Sequence, residues 1–409
     1  MFSSLKIKEF RLFWFAMFTS LIGTWIQSMA QSWLVFEMTQ SSFLLGLVGF
    51  LNYIPISILV LAAGVFADRH AKRNLLIVTQ LSFMVLAFTL AALVYYHKIC
   101  VWQILILAFL NGVIIALDAP ARQAMVVDLV GKQHLLNAIA LNSAAFNSAR
   151  IIGPALAGLL IALTGIAECF FINALSFLPI LVVLVLIKPR QPSFVNSKDT
   201  SVLSEVKEAL RLIGANQPFC GLLIMVGIVS LFGISYIVLM PVFAQDVFHL
   251  GARGLAILMT ANGLGALAGA LSLARLKGCI SRFKVFKNAI FLFFISTMLF
   301  SFSRSIFISS ALLIIAGFGA TRGMSMVNTM LQASVPDAFR GRIMGVFVMM
   351  LTGLMPFGNL IAGSVAHYLS AQTVVLGGAL VSLVLCMIVI KKYFCQTQDT
   401  VLVFSPVVG

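Results

Sequence analysis

The feature that most constrains this chain is a series of twelve apolar runs, each about as long as a bilayer is thick. They fall at 12–36, 43–66, 74–96, 100–118, 138–163, 168–187, 218–244, 254–274, 285–302, 306–328, 342–366 and 371–394. A spanning helix needs about 20 mostly apolar residues, because the hydrocarbon core is about 30 Å thick and an α-helix rises about 1.5 Å per residue. Within that core every backbone N–H and C=O must be satisfied inside the protein, so runs of this length read as helices. The expected fold is an all-α membrane protein with twelve transmembrane helices. Composition agrees: 61% of the 409 residues are hydrophobic and only 10% are charged, against about 25% charged in soluble domains. No water-soluble fold of this length could hide that much apolar surface.

The short segments between the runs share their basic residues unevenly. If the N-terminus is cytoplasmic, 22 of the 27 Lys and Arg residues fall on cytoplasmic segments. Outer segments hold only Lys98, Arg253 and Arg304, while Arg150 and Arg322 lie within helices. This is the positive-inside bias, and a miscounted span would destroy it. Both termini are therefore expected in the cytoplasm, with the chain in the plasma membrane, the inner membrane of a bacterium. The net charge of +15 is then a topology signal. Nucleic acid is not an expected partner, because no solvated basic face is left for it. The first run resembles a signal peptide, with Lys6, Lys8 and Arg11 ahead of it, but its apolar character continues to Phe36 and marks a retained span. The six cysteines form no Cys-x-x-Cys pair and have no His cluster near them, so no metal and no cofactor is expected. Cys100 and Cys169 fall on the same side, where a disulfide between them is open.

One long polar segment, 188–217, contains Pro189, Pro192 and an amphipathic piece from Ser204 to Ile213. It separates an N-terminal six-helix bundle (1–187) from a C-terminal one (218–394), with a cytoplasmic tail at 395–409. The halves repeat at an offset of 205. Gly153-Pro-Ala-Leu-Ala-Gly158 aligns with Gly358-Asn-Leu-Ile-Ala-Gly363, Gly49 with Gly254, Gly64 with Gly269, and Gly112 with Gly317. Two pseudo-symmetric bundles are what an alternating-access transporter is built from, with the solute site between them near the midplane.

The loop between the second and third runs reads Gly64-Val-Phe-Ala-Asp68-Arg69-His70-Ala71-Lys72-Arg73. It resembles the signature G-x-L-A-D-R-x-G-R-R of the major facilitator superfamily, with Phe66 and Ala71 replacing Leu and Gly. Gly64 is expected to let the second helix approach a neighbour closely. Asp68, an acid in a basic loop, is expected to meet Arg69, Arg73 or the start of the eleventh helix near Arg342 and Gly345, where the helix dipole attracts it. The resemblance implies the last contact, a latch on the cytoplasmic side. In the fifth run, Arg150-Ile-Ile-Gly153-Pro154-Ala-Leu-Ala157-Gly158 resembles the motif of the exporter and antiporter branches. Gly and Pro there are expected to bend the helix and permit close packing. Asp118-Ala-Pro-Ala-Arg122-Gln123, Gln31 to Glu37 and Asn137 to Asn142 are similar to the branch of enterobactin, macrolide and multidrug exporters. That likeness covers about the first 180 residues.

Arg150 lies near the middle of the core, too deep to reach water by snorkelling, and should face a wet cavity or a partner. Ser143, Asn147, Arg150 and Pro154 share one helix face. Ser20, Thr24, Gln27, Ser28 and Gln31 form a polar stripe on the first helix. These two faces are expected to line the solute cavity, with Asn52, Asn111, Tyr236, Asn262 and Arg322 as lesser candidates. A deep cation with no acid at its depth favours an anionic solute such as a siderophore. The aromatics Trp25, Trp33 and Tyr53 would suit amphiphilic drugs. No G-x-x-x-x-G-K-[ST] sequence is present, so an ion gradient is the expected driving force. The resemblance implies protons, with Asp118 and Glu37 as carrier candidates. Asp118 is expected to pair with Arg122 or Arg322. The combined expectation is a monomeric exporter of a small organic solute by proton antiport, and no enzyme, since no nucleophile, His or metal cluster gathers at one depth.

Overall fold

A computed structural model describes residues 3–187, 211–214, 216–274, 281–335 and 337–394. Among these residues twelve helices are long and apolar enough to cross a bilayer, and there is no strand. In chain order they are α1 (Lys8–Thr39), α2 (Ser42–Arg69), α3 (Lys72–Tyr95), α4 (Val101–Gly131), α5 (Gln133–Leu163) and α6 (Ile166–Leu186). The second six are α7 (Gln217–Val247), α8 (Gly251–Ala274), α9 (Arg282–Phe302), α10 (Ile306–Ser334), α11 (Asp337–Thr352 and Met355–Tyr368) and α12 (Ala371–Phe394). The expected linker and tail lie outside the described residues, apart from 211–214, 216 and 217. Many of the largest exposed side chains are apolar, among them Leu163, Val185 and Phe307. In a lipid solvent this surface is at home, and what drives the helices together is close packing rather than the escape of oil from water.

That packing explains the glycine repeat. In the first half, a Cβ on Gly112 of α4 would lie 2.5 Å from the Asn52 carbonyl oxygen of α2. In the second half, a Cβ on Gly317 of α10 would strike the Asn262 carbonyl oxygen of α8. The two glycines matched at offset 205 therefore do the same job, letting the fourth helix of a half close onto its second. A second matched pair, Gly158 and Gly363, joins the halves. Gly158 of α5 sits against Ala256 of α8, and Gly363 of α11 sits against Ser42 and Gly46 of α2. In each case the fifth helix of one half packs on the second helix of the other.

The segment 119–137, expected as a loop, is helical. Helix α4 runs on through Pro120 to a kink at Gly131, and α5 starts at Gln133, so the two spans meet at that glycine. Gly131 has φ 69°, a backbone shape that an L side chain rarely tolerates. Helix α7 is irregular instead of uniform: a π-turn at Val229–Gly233, a 3-10 stretch at Ile234–Leu239 and a second π-turn at Phe243–Val247. Such distortions cluster where a helix serves a site. Cys100 and Cys169 are both free thiols, one exposed and one buried, so the disulfide between them is not formed.

Candidate functional site

Arg150 bonds across the halves. Its Nη2 donates to Asn262 Oδ1 on α8 at 2.5 Å, and Asn262 Nδ2 donates to Tyr236 Oη on α7 at 2.5 Å. The guanidinium also lies 5.8 Å from the centroid of the Trp25 ring on α1, inside the range of a cation–π contact. Trp25 is braced edge-on by Phe146 at 5.7 Å. The Tyr53 and Tyr236 hydroxyls both stand within electrostatic range of the guanidinium. At 1.5 Å per residue, Arg150 lies about 20 Å below the nearer end of α5, the end away from the termini, and Asn262, Tyr236 and Tyr53 lie about 17 Å below theirs. The group occupies one level near mid-membrane. The irregular turns of α7 frame Tyr236, whose ring also walls an apolar crevice of about 290 Å³ between α7, α11 and α12.

Backbone approach keeps this level narrow. A Cβ on Gly263 would lie 2.9 Å from the Arg150 carbonyl oxygen, and Gly153 abuts Trp25. Ser57 of α2 adds a second bond between the halves, donating to the Gly353 carbonyl at the break in α11 at 3.2 Å. Toward the end away from the termini, the Gly46–Gly363 and Gly158–Ala256 contacts shut the halves against each other. Toward the termini, Gly64 and Gly345 have nothing within 4 Å. The close approach expected at Gly64 is thus not made here.

The remaining expected residues divide. Thr24 and Ser143 are exposed although both sit deep in their helices, Gln31 is half-buried, and Asn147 is buried with its amide bonded back to the Ser143 carbonyl at 2.8 Å. Gln27 and Asn52, read as cavity residues, each use their amide oxygen inside the first half. Gln27 accepts from Asn173 of α6 at 2.6 Å, and Asn52 accepts from Asn111 of α4 at 2.7 Å. Arg322 lies over the Phe318 ring at 5.3 Å, with a buried Nε that has no hydrogen-bond partner.

The basic loop works by tying helices of one half. Lys72 pairs with Asp128 near the end of α4 at 2.8 Å. Arg73 donates to the Leu184 and Val185 carbonyls at 2.5 and 2.7 Å, so it caps the last turn of α6, where a cation suits the helix dipole. The side chains of Asp68 and Arg69 lie outside the described residues, so the expected latch on α11 does too. Asp118 is buried and pairs with Arg122 at 2.9 Å, not with Arg322. It also accepts from Thr79 at 2.9 Å and Gln80 at 2.7 Å. Glu37 is exposed near the end away from the termini.

A family model described as MFS_3, transmembrane secretion effector, matches residues 1–403. The chain belongs to this family of the major facilitator superfamily. This facilitator is an integral, multi-pass membrane protein that transports small molecules in the manner of efflux and secretion carriers, and its family consists of transporters, not enzymes. It is 28% identical to a staphyloferrin A transporter of Staphylococcus aureus, over 86% of this chain and 88% of that one. It is 23% identical to macrolide efflux protein A of Streptococcus pyogenes, over 87% and 88%. An enterobactin exporter of Escherichia coli is 25% identical, over 83% and 80%. A solved D-xylose–proton symporter shares the fold with a TM-score of 0.71 at 14% identity, covering 95% of this chain and 99% of that one. In a facilitator the solute site is expected between the halves, and Arg150, Asn262 and Tyr236 meet there.

Proposed function

We propose that this facilitator exports an anionic small molecule, a siderophore or related metabolite, by proton antiport across the bacterial inner membrane, with both termini cytoplasmic. One observation carries the reading: a guanidinium held at mid-membrane between the halves, with a neutral amide and phenols around it and no carboxylate bonded to it among the described residues. A buried cation without a counter-ion is costly, and a bound anion relieves that cost. The halves touch at the end away from the termini. With the termini cytoplasmic, the site faces the cell interior, where an exporter collects its cargo. Thr24 and Ser143, exposed deep in their helices, flank the approach to it. The protein works as a monomer, each chain having its own site.

The coupling residue we favour is Asp118. Protonation would turn one of its acceptor oxygens into a donor and loosen Thr79, Gln80 and Arg122 together. Glu37 is the second candidate. The Gly64–Arg73 motif latches the cytoplasmic end when the halves rock shut there, Asp68 meeting the start of α11. The staphyloferrin A and enterobactin relatives support the siderophore reading. The macrolide relative and the Trp25–Phe146 pair support a second reading, efflux of amphiphilic drugs. Metabolite profiling of medium from a deletion strain, with and without iron limitation, separates them. Loss of a secreted chelator under iron limitation selects the first. Unchanged secretion with new drug sensitivity selects the second.

A further inference from the structure

We infer that Asn262 sets the charge selectivity of the mid-membrane site: its neutral carboxamide holds Arg150 in place without cancelling its charge. The inference rests on the anionic-solute reading above and deepens it.

The orientation of the Asn262 amide follows from chemistry. A guanidinium has only donors, so the group facing Arg150 must be the carbonyl oxygen, and the NH₂ must face Tyr236. Both bonds are formed, each at 2.5 Å, with Asn262 buried. The Tyr236 oxygen therefore accepts, and its own O–H proton remains free to donate. The guanidinium has five N–H groups, of which the described bonds use the one to Asn262. An anion entering at this level finds unspent guanidinium N–H donors, the Tyr236 hydroxyl and the nearby Tyr53 hydroxyl, all at one depth. An aspartate at position 262 would be nearly the same shape. It would pair with Arg150 as an internal salt bridge, and the site would be neutral before any solute arrived.

Position 262 also lies in the opposite half from Arg150. The bond that an anion competes for is one of two described side-chain bonds joining the halves at this level, the other being Ser57 to the Gly353 carbonyl. A solute that draws the guanidinium toward itself weakens the bridge that must break before the halves rock. A neutral partner makes that exchange favourable. A charged partner would hold both the anion's place and the bridge.

The test is binding of radiolabelled citrate, a tricarboxylate probe, and of ethidium, a cationic probe, to the purified full chain. The variants are Asn262→Asp, Asn262→Ala and Arg150→Gln. Wild type is expected to bind citrate, Asn262→Ala to bind it more weakly than wild type but more tightly than Asn262→Asp, and Arg150→Gln to lose it. Asn262→Asp is expected to lose at least ~10-fold in citrate affinity, since the new carboxylate sits beside the incoming charge, and to bind ethidium at least as well as wild type. If Asn262→Asp binds citrate like wild type while Arg150→Gln does not, the anion reading stands and the role of Asn262 falls. Equal damage from Asn262→Ala and Asn262→Asp would make Asn262 a packing residue and overturn the inference. Absence of citrate binding by wild type, or binding unchanged by Arg150→Gln, would remove the anion reading and this inference with it.

Discussion

A single methyl group at residue 363 should push this transporter out of the conformation described here. A Cβ on Gly363 would lie 2.6 Å from the Ser42 carbonyl oxygen and 2.7 Å from Gly46 Cα. Both are backbone atoms of the facing helix, so no side chain can swing aside to make room. Ordinary contact needs roughly another ångström, and overpacking of this kind costs about 1–3 kcal/mol. At about 1.4 kcal/mol per factor of ten, Gly363→Ala should disfavour closure of this end by roughly fivefold to a hundredfold. Spin labels on Gln40 and Tyr368, exposed at that end on opposite halves, report the separation by electron–electron distance measurement. The variant should gain a population at longer distance. Gly377→Ala is the control, because nothing lies within 4 Å of that position. An unchanged distance distribution in Gly363→Ala, or the same shift in the control, would refute the reasoning.

Other perturbations read other parts of the account. Arg150→Ala should abolish transport while folded protein remains in the membrane, checked by size-exclusion of the purified variant beside a vesicle transport assay. Lys72→Ala should lower thermal stability in detergent by no more than about 1 kcal/mol, because its pair with Asp128 is partly exposed; the charge swap of Lys72→Asp with Asp128→Lys should recover it. Asn111→Leu should cost about 0.6 kcal/mol, the usual worth of an interhelical hydrogen bond in a membrane, and leave transport intact, since its partner Asn52 is spent on packing α2 against α4. Asp68→Asn should slow turnover more than it weakens solute binding, measured as a drop in transport rate at unchanged binding affinity.

Much of the fold was legible because lipid imposes one rule on every span. Run length, basic loops and a repeat at one offset lead to two bundles of six, and the matched glycines Gly112 and Gly317 prove to share one packing role. The reading failed where local signals spoke against context. Pro120 and Gly131 look like loop residues, yet in α4 the proline is carried inside the helix and only the glycine turns the chain. Reading 119–137 as a loop hid Asp128 as the partner of Lys72. Arg150 stood out because a deep cation is expensive. Its bond to Asn262 did not, because a contact between halves depends on the rotation of α5 and α8, which hydropathy does not report. The partners of Gln27 and Asn52 were hidden for a related reason: an amide in a span looks the same in a sequence whether it faces a solute or a neighbouring helix.

The most direct test of the central claim is transport by the purified protein in proteoliposomes under an imposed proton gradient, with Arg150→Gln measured beside wild type. Wild type should move an anionic solute against its gradient, transport should collapse on addition of a proton ionophore, and Arg150→Gln should move none. Transport that persists after the ionophore, or that Arg150→Gln performs as well as wild type, would contradict the claim.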